Sequence, residues 1–232
     1  MKRLNAIGVC SLILVLSAFR STNGTYTAVN ETNPVDLCTA GNAEPIIDFG
    51  EIKIDSQIWA DKNLDAVAFS NGDPISEAQT SAEWRDALNQ GKPAWCYYEE
   101  NAENGKIYGK LYNWYAVTDP RGLAPKGWHI PSYEEWQKLT GYLGSKAAKK
   151  MKTANGWEMN GNGNNKSGFS ALPGGFIYKS TKTYYRSGNM GKIGYWWSTH
   201  TSGMGVKIDN TDHVSGDFYS KDHGLSVRCL KD

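Results

Sequence analysis

The chain carries almost no surplus charge, few cysteines and no apolar run long enough to cross a bilayer. Its 25 Lys and Arg residues face 24 Asp and Glu, a formal net charge of +1 over 232 residues. No global attraction to a polyanion follows from that balance, and nucleic acid is not an expected partner. A mean hydropathy of -0.55 excludes a multi-span membrane protein, because each spanning helix needs about 20 consecutive apolar residues. The four cysteines include no CxxC pair, which excludes a dense disulfide scaffold and argues against structural zinc. Phe is scarce too, at six residues, whereas Trp reaches nine, Tyr thirteen and Gly 25. So much ring area excludes general disorder, and the length suits one domain with an N-terminal extension.

Lys2 and Arg3 precede a stretch from Ala6 to Phe19 that is apolar apart from Ser11, Ser17 and a few small residues. This is the pattern of a secretory signal peptide over residues 1–18, with cleavage expected after Ser17 or Ala18. Cys10 follows Val9 inside the apolar core, where a lipid-modification site needs a small residue, so the leader is not read as a lipid anchor. Residues 19–45 are rich in Thr, Asn, Ala and Gly and read as an exposed tether, and the domain is expected to span 46–232. Removing the leader leaves Cys38, Cys96 and Cys229, so at least one thiol is free or intermolecular.

From Ile46 to Trp59 the residues predict two short strands joined by a tight turn at Asp55 and Ser56. Thr80 or Ser81 caps a short helix bearing Trp84, Ala87 and Leu88, which ends at Gly91 and Pro93. The ring-dense run Tyr108 to Val117 is too short for periodicity to separate helix from strand. Ser132 and Glu135 form an S-x-x-E capping box ahead of Trp136, Leu139 and Leu143, the clearest helix of the chain. Ala147, Ala148 and Met151 suggest another short helix, and Asn160 to Asn165 a loop. After Phe169, short apolar runs alternate with Gly, Asn and Asp turns, so the last third is expected to hold strands and loops.

Seven strings occur in order: Ile58-Trp59-Ala60-Asp61-Lys62-Asn63-Leu64, Trp95-Cys96-Tyr97-Tyr98, Tyr108-Gly109-Lys110-Leu111-Tyr112-Asn113-Trp114, Gly127-Trp128-His129-Ile130-Pro131-Ser132, Gly168-Phe169-Ser170-Ala171-Leu172-Pro173-Gly174-Gly175, Trp196-Trp197-Ser198 and Ser226-Val227-Arg228-Cys229-Leu230. Together they resemble the Fibrobacter succinogenes major paralogous domain, a family of secreted and surface proteins abundant in Bacteroidetes-type bacteria, over residues 46–232. The resemblance implies an α+β, C-type-lectin-like fold: two main helices on a twisted antiparallel sheet, a long C-terminal loop region, and chain ends that pair to close the domain. Some family members carry a local cysteine pair whose places fall here in the Asn101 to Gly105 segment and near Ala124. Its absence leaves Cys96 and Cys229 as the expected disulfide, closing a loop on the order of 130 residues and stabilising by up to roughly 5 kcal/mol in the chain-entropy model. Trp59, Trp114, Trp128, Trp136 and Trp196 are expected in the core, and His129 is expected to be a satisfied structural histidine.

Chemistry is harder to read. Glu134 and Glu135 invite an acid and base reading, but Glu135 is spent on the capping box. The formylglycine-generating enzymes share the implied fold and depend on a C-terminal cysteine pair, whereas Cys229 stands alone there. No Glu-Pro-Asn or Trp-Asn-Asp signature of calcium-dependent lectins occurs. Asp209, Asn210, Asp212 and Asp217 suit a hard cation such as calcium, and solvated turns account for them equally. Between Ser198 and His223, small hydroxyls, amides, acids and Tyr make an adaptable surface, in the place where lectin-like proteins diversified by retroelements contact their ligands. A solvated loop face explains the same composition. The expected ligand-binding residues are Tyr185, Trp197, His200, Asp209, Asn210, His213, Asp217 and Tyr219. The expected function is a secreted or cell-surface module that binds a glycan or a protein without catalysis or a cofactor, calcium excepted. The rivals are a carbohydrate-active or protein-modifying enzyme and a purely structural surface protein.

Overall fold

The computed structural model of the protein describes residues 49–179, 185–200 and 202–232. The expected leader, the tether, Cys38 and residues 46–48 lie outside the described residues. In chain order the first elements are β1 (Glu51–Ile54), β2 (Gln57–Ala60), β3 (Ser76–Glu77), α1 (Ser81–Asn89), β4 (Ala94–Cys96), α2 (Ala102–Tyr108), β5 (Leu111–Asn113), α3 (Trp114–Val117) and β6 (Trp128–His129). They are followed by α4 (Tyr133–Leu143), α5 (Ala147–Met151), β7 (Phe176–Lys179), β8 (Tyr185–Gly188), β9 (Gly194–Trp197), β10 (Met204–Ile208), β11 (Val214–Phe218), β12 (Gly224–Leu225) and β13 (Leu230–Lys231). The fold is α+β. Where one antiparallel sheet was expected there are three among the described residues, in the orders β1-β2-β13-β6, β11-β10-β9 and β3-β4-β5-β12-β7-β8. The pair β3 and β4 runs parallel.

The local chemistry explains the elements. Asp55 takes a positive φ in the turn between β1 and β2. Thr80 caps α1 by accepting the Glu83 N–H at 3.2 Å, and Trp84 and Leu88, one turn apart, are buried. The α4 capping box forms in full: Ser132 Oγ accepts the Glu135 N–H at 3.2 Å, and Glu135 Oε2 accepts the Ser132 N–H at 2.8 Å. Trp136, Leu139 and Leu143 then point into the core. The ends of the domain meet as expected, with Leu230 of β13 paired to Trp59 of β2 on one side and to His129 of β6 on the other.

Three apolar clusters fill the interior. One gathers Trp95, Tyr112, Trp114, Trp197 and Cys229; a second Trp59, Trp136, Phe169, Trp196 and Ile208; a third Trp84, Leu88, Cys96, Ile177 and Tyr185. Trp59, Trp114, Trp136 and Trp196 are core residues, and Trp128 is half-buried with its ring edge-on to Phe49 at 5.2 Å. The expected disulfide does not form. Cys96 and Cys229 are both free, buried thiols, because Cys96 packs in the third cluster and Cys229 in the first. Burial raises both thiols, Cys229 to about 12.

Among the described residues no helix is long and apolar enough to cross a membrane.

Candidate functional site

The last third of the chain builds a hairpin. Strands β10 and β11 pair from Met204 opposite Phe218 to Ile208 opposite Val214, and β10 joins β9 on its other side. Two close approaches require glycine. A Cβ on Gly216 would lie 2.4 Å from the Tyr133 ring of α4, and one on Gly205 would lie 2.9 Å from the Tyr219 ring. The hairpin is thereby pressed onto α4 on one face and lidded by Tyr219 on the other.

This packing sorts the expected ligand-binding residues into two groups. Tyr185, Trp197 and Tyr219 are buried, with 4%, 0% and 9% of their surface exposed. They are core rings and not a platform for a ligand. Tyr185 of β8 enters the third cluster and Tyr219 the first, while both faces of β9 are covered, with Trp196 in the second cluster and Tyr195 and Trp197 in the first. Trp197 donates its indole N–H to the Tyr112 carbonyl at 2.8 Å. Tyr219 stands perpendicular to Trp197 and Tyr195, and its buried hydroxyl has no hydrogen-bond partner among the described residues. Burial first, then the Asp217 charge, raises that hydroxyl's pKa.

His200, Asn210, His213 and Asp217 are exposed, and Asp209 is half-buried. They do not converge. Asp209, Asn210 and His213 sit at the turn end of the hairpin, while His200 and Asp217 sit at its open end. The two groups are roughly 14 Å apart at about 3.4 Å per residue of strand. Between them runs β11, which among the described residues is an edge strand with β10 as its one neighbour in the sheet. Tyr219 donates its N–H to the Gly203 carbonyl at 2.9 Å. By antiparallel alternation, the backbone groups of Val214, Gly216 and Phe218 therefore face the open edge. Asp217 Oδ1 accepts the outward Phe218 N–H at 2.8 Å and blunts that end.

The residue that sequence reasoning missed is Phe218. Its ring is 63% exposed and lies 6.4 Å from the His200 ring. No pattern in Val214 to Phe218 marks it, since alternation predicts a face and not whether that face is covered.

The acidic turn is organised around a cation that the chain itself supplies. Buried Lys152 donates through Nζ to the carbonyls of Asp209 and Thr211 at 2.8 and 3.0 Å. Burial lowers its pKa, opposed by the Asp212 and Asp209 charges. The Asp209 carboxylate accepts the Thr211 N–H at 2.8 Å, and Asp212 faces Lys146 at 3.9 Å. Among the described residues no three Asp, Glu, His or Cys side chains gather where they could hold a metal ion.

Elsewhere, His129 is satisfied on both nitrogens, Nδ1 with Asp232 at 2.7 Å and Nε2 with Glu135 at 3.0 Å. It borders a cleft of about 480 Å³ that Ser70, Asp119, Trp128 and Thr199 also line. Both ring nitrogens are occupied, and Glu135 is held by its cap.

The fold and the exposed strip define a class: an α+β domain whose rings are sunk into a scaffold and whose C-terminal hairpin is left open at one edge. The chain belongs to the Fibrobacter succinogenes major domain family, whose model matches residues 52–231. Neither curated proteins nor solved structures yield a match to the chain.

Proposed function

We propose that the protein is a secreted or cell-surface binding module on a C-type-lectin-like fold, recognising a protein or glycan partner without catalysis along the β11 edge. The observation that carries this reading is Phe218, a ring left in solvent on an edge strand, in a domain that buries most of its other rings. Exposed rings beside polar groups are frequent anchors of an interface, and Phe218 stands at the open end of the strip next to His200. His200, Asn210, His213 and Asp217 supply directional hydrogen bonds along it. The open backbone groups of Val214 and Gly216 favour an extended protein segment, which adds to a sheet edge through its own backbone. The pairing of β2 with β13 supports the lectin-like closure, and the N-terminal leader supports export.

The test is binding to glycan and surface-protein arrays by the wild type and by a Phe218→Ser/His200→Ala variant. Both side chains are exposed, so the melting temperature should stay unchanged while the array signal falls. Retained binding in the variant, or no binding by the wild type, would refute the edge as the site. Intact mass of the exported protein should show cleavage after Ser17 or Ala18.

A further inference from the structure

The hairpin is not the sole place where an aromatic ring is left in solvent. Among the described residues the other mostly exposed ring is Tyr142, at 61%, on the outer side of α4. It stands at the rim of a hollow of about 360 Å³ between the β1–β2 turn, the end of α4, α5 and the loop at Lys166 and Ser167. Three lysines line this hollow, Lys53, Lys150 and Lys166, against the single acid Asp55. In a chain of net charge +1, such local excess is a distinct feature.

The lysines are not used up by the fold. Lys106, Lys110, Lys146 and Lys231 each pair with a carboxylate. Lys53, Lys150 and Lys166 form no ion pair among the described residues. Lys150 is held in place, its Nζ donating to the Leu143 carbonyl at the end of α4 at 2.5 Å. Ser167 braces the same wall by donating its hydroxyl to the Lys150 carbonyl at 2.9 Å. Lys53 and Lys166 are exposed. Asp55 accepts the Ser56 hydroxyl at 3.1 Å and does not pair with any of the three. Like charges that converge without counter-charges destabilise a fold slightly, and clefts lined by one sign of charge concentrate ligands of the other.

We infer that this hollow is a subsite for an acidic saccharide, its carboxylate or sulfate held by Lys53, Lys150 and Lys166 and its ring face laid on Tyr142. The volume lies in the range of small-ligand sites, about 300 to 1,000 Å³. Ammonium groups meet the anion by charge-assisted hydrogen bonds. Tyr142 adds what a bare phosphate or an acidic peptide does not need, a flat apolar surface beside the charges. None of the β11 strip residues lines this hollow, so the inference stands independently of the edge reading.

The experiment is calorimetric titration of the whole protein with four probes: oligogalacturonate, a chondroitin sulfate oligosaccharide, neutral cello-oligosaccharide and poly-glutamate. The first two separate carboxylate from sulfate as the source of charge. Binding of either, with neither control bound comparably, is the expected result. Raising salt from about 50 to about 500 mM should weaken it, because exposed ion pairs are screened. The Lys53→Gln/Lys166→Gln variant should bind roughly tenfold or more weakly with a melting temperature equal to or above the wild type. Tyr142→Ser should weaken the saccharide and leave weak poly-glutamate binding untouched. Equal binding of poly-glutamate would overturn the saccharide assignment, as would equal binding of the neutral sugar. No binding of either acidic sugar, or a lysine variant that binds normally or melts lower, would overturn the site. Phe218→Ser/His200→Ala should leave this titration unchanged, which separates failure here from failure of the edge.

Discussion

Asn63 Oδ1 receives two hydrogen bonds from the guanidinium of Arg228, from Nε at 3.1 Å and Nη2 at 2.9 Å, across 165 positions of chain. The same oxygen accepts the Trp196 indole N–H at 2.9 Å. Arg228 Nη1 reaches the carbonyls of Ala60 and Phe169 at 3.1 and 2.7 Å, and the guanidinium lies over the Phe169 ring at 4.5 Å. Four of the recurring strings therefore meet at one buried cation. Burial pulls its pKa down to about 9, opposed by the Asp61 charge.

Removing the acceptor should be worse than removing the cation. Asn63→Leu leaves a buried guanidinium short of partners and should destabilise by about 3 to 5 kcal/mol, the range for breaking a buried charged contact. Arg228→Met leaves an amide oxygen that still has Trp196, and two orphaned carbonyls, and should cost about 1 to 3 kcal/mol. Urea denaturation of both variants checks the order, and the reverse order would contradict this network.

The sequence made the frame legible because its signals are local. The Ser132 and Glu135 box, the Thr80 cap and the Asp55 turn each act within four residues, and each forms as read. α2 went unread because Gly105 is its buried residue and no apolar stripe marks it. The candidate site was legible in place but not in membership. Tyr185 and Tyr219 stand among polar neighbours that do not mark them as core, and Trp197 lies on a strand covered on both faces, which has no period that separates lining from core. The cysteine pairing failed for a related reason, since no local pattern tells which cluster a side chain will join.

His129 gives a pH dependence. Burial lowers its pKa, but the Asp232 and Glu135 hydrogen bonds outweigh it and the net shift is upward. A raised folded pKa means the stabilisation is fully present below the unfolded value of about 6.5 and is lost as pH rises through the folded value. The ring is 37% exposed, so the effect should stay below about 1 kcal/mol. Melting temperatures of the wild type and His129→Asn should differ most below pH about 6.5 and converge above. A constant difference across pH would count against the contact.

Cys96 and Cys229 should behave as two shielded thiols. In the folded protein neither should react with a thiol reagent, because the thiolate is the nucleophile and burial disfavours it. After denaturation without reductant, peptide mass mapping should find an alkyl group on each. Reductant should leave the melting temperature unchanged. A Cys96–Cys229 linked peptide would reverse this.

Lys152 decides whether the acidic turn needs a metal. Its ammonium holds the carbonyls of Asp209 and Thr211, and the turn is also tied to α5 through the Ala148 N–H to the Asp212 carbonyl at 3.2 Å. Lys152→Met keeps the volume of the stem but strips the Asp209 and Thr211 carbonyls of a charged donor, and should destabilise by about 1 to 3 kcal/mol. Lys152→Arg should rescue little, because a planar fork does not replace a compact ammonium in a buried site. Millimolar calcium should neither raise the melting temperature of the wild type nor give a heat of titration, because a ligand stabilises only when it binds the native state, and then by an amount that grows with its concentration over Kd. A calcium-dependent rise in the wild type would show that the turn recruits an ion beside the lysine. A rise confined to Lys152→Met would mean that the side chain occupies a cation's place, and the turn's acids would then read as a metal site converted to an internal ion contact.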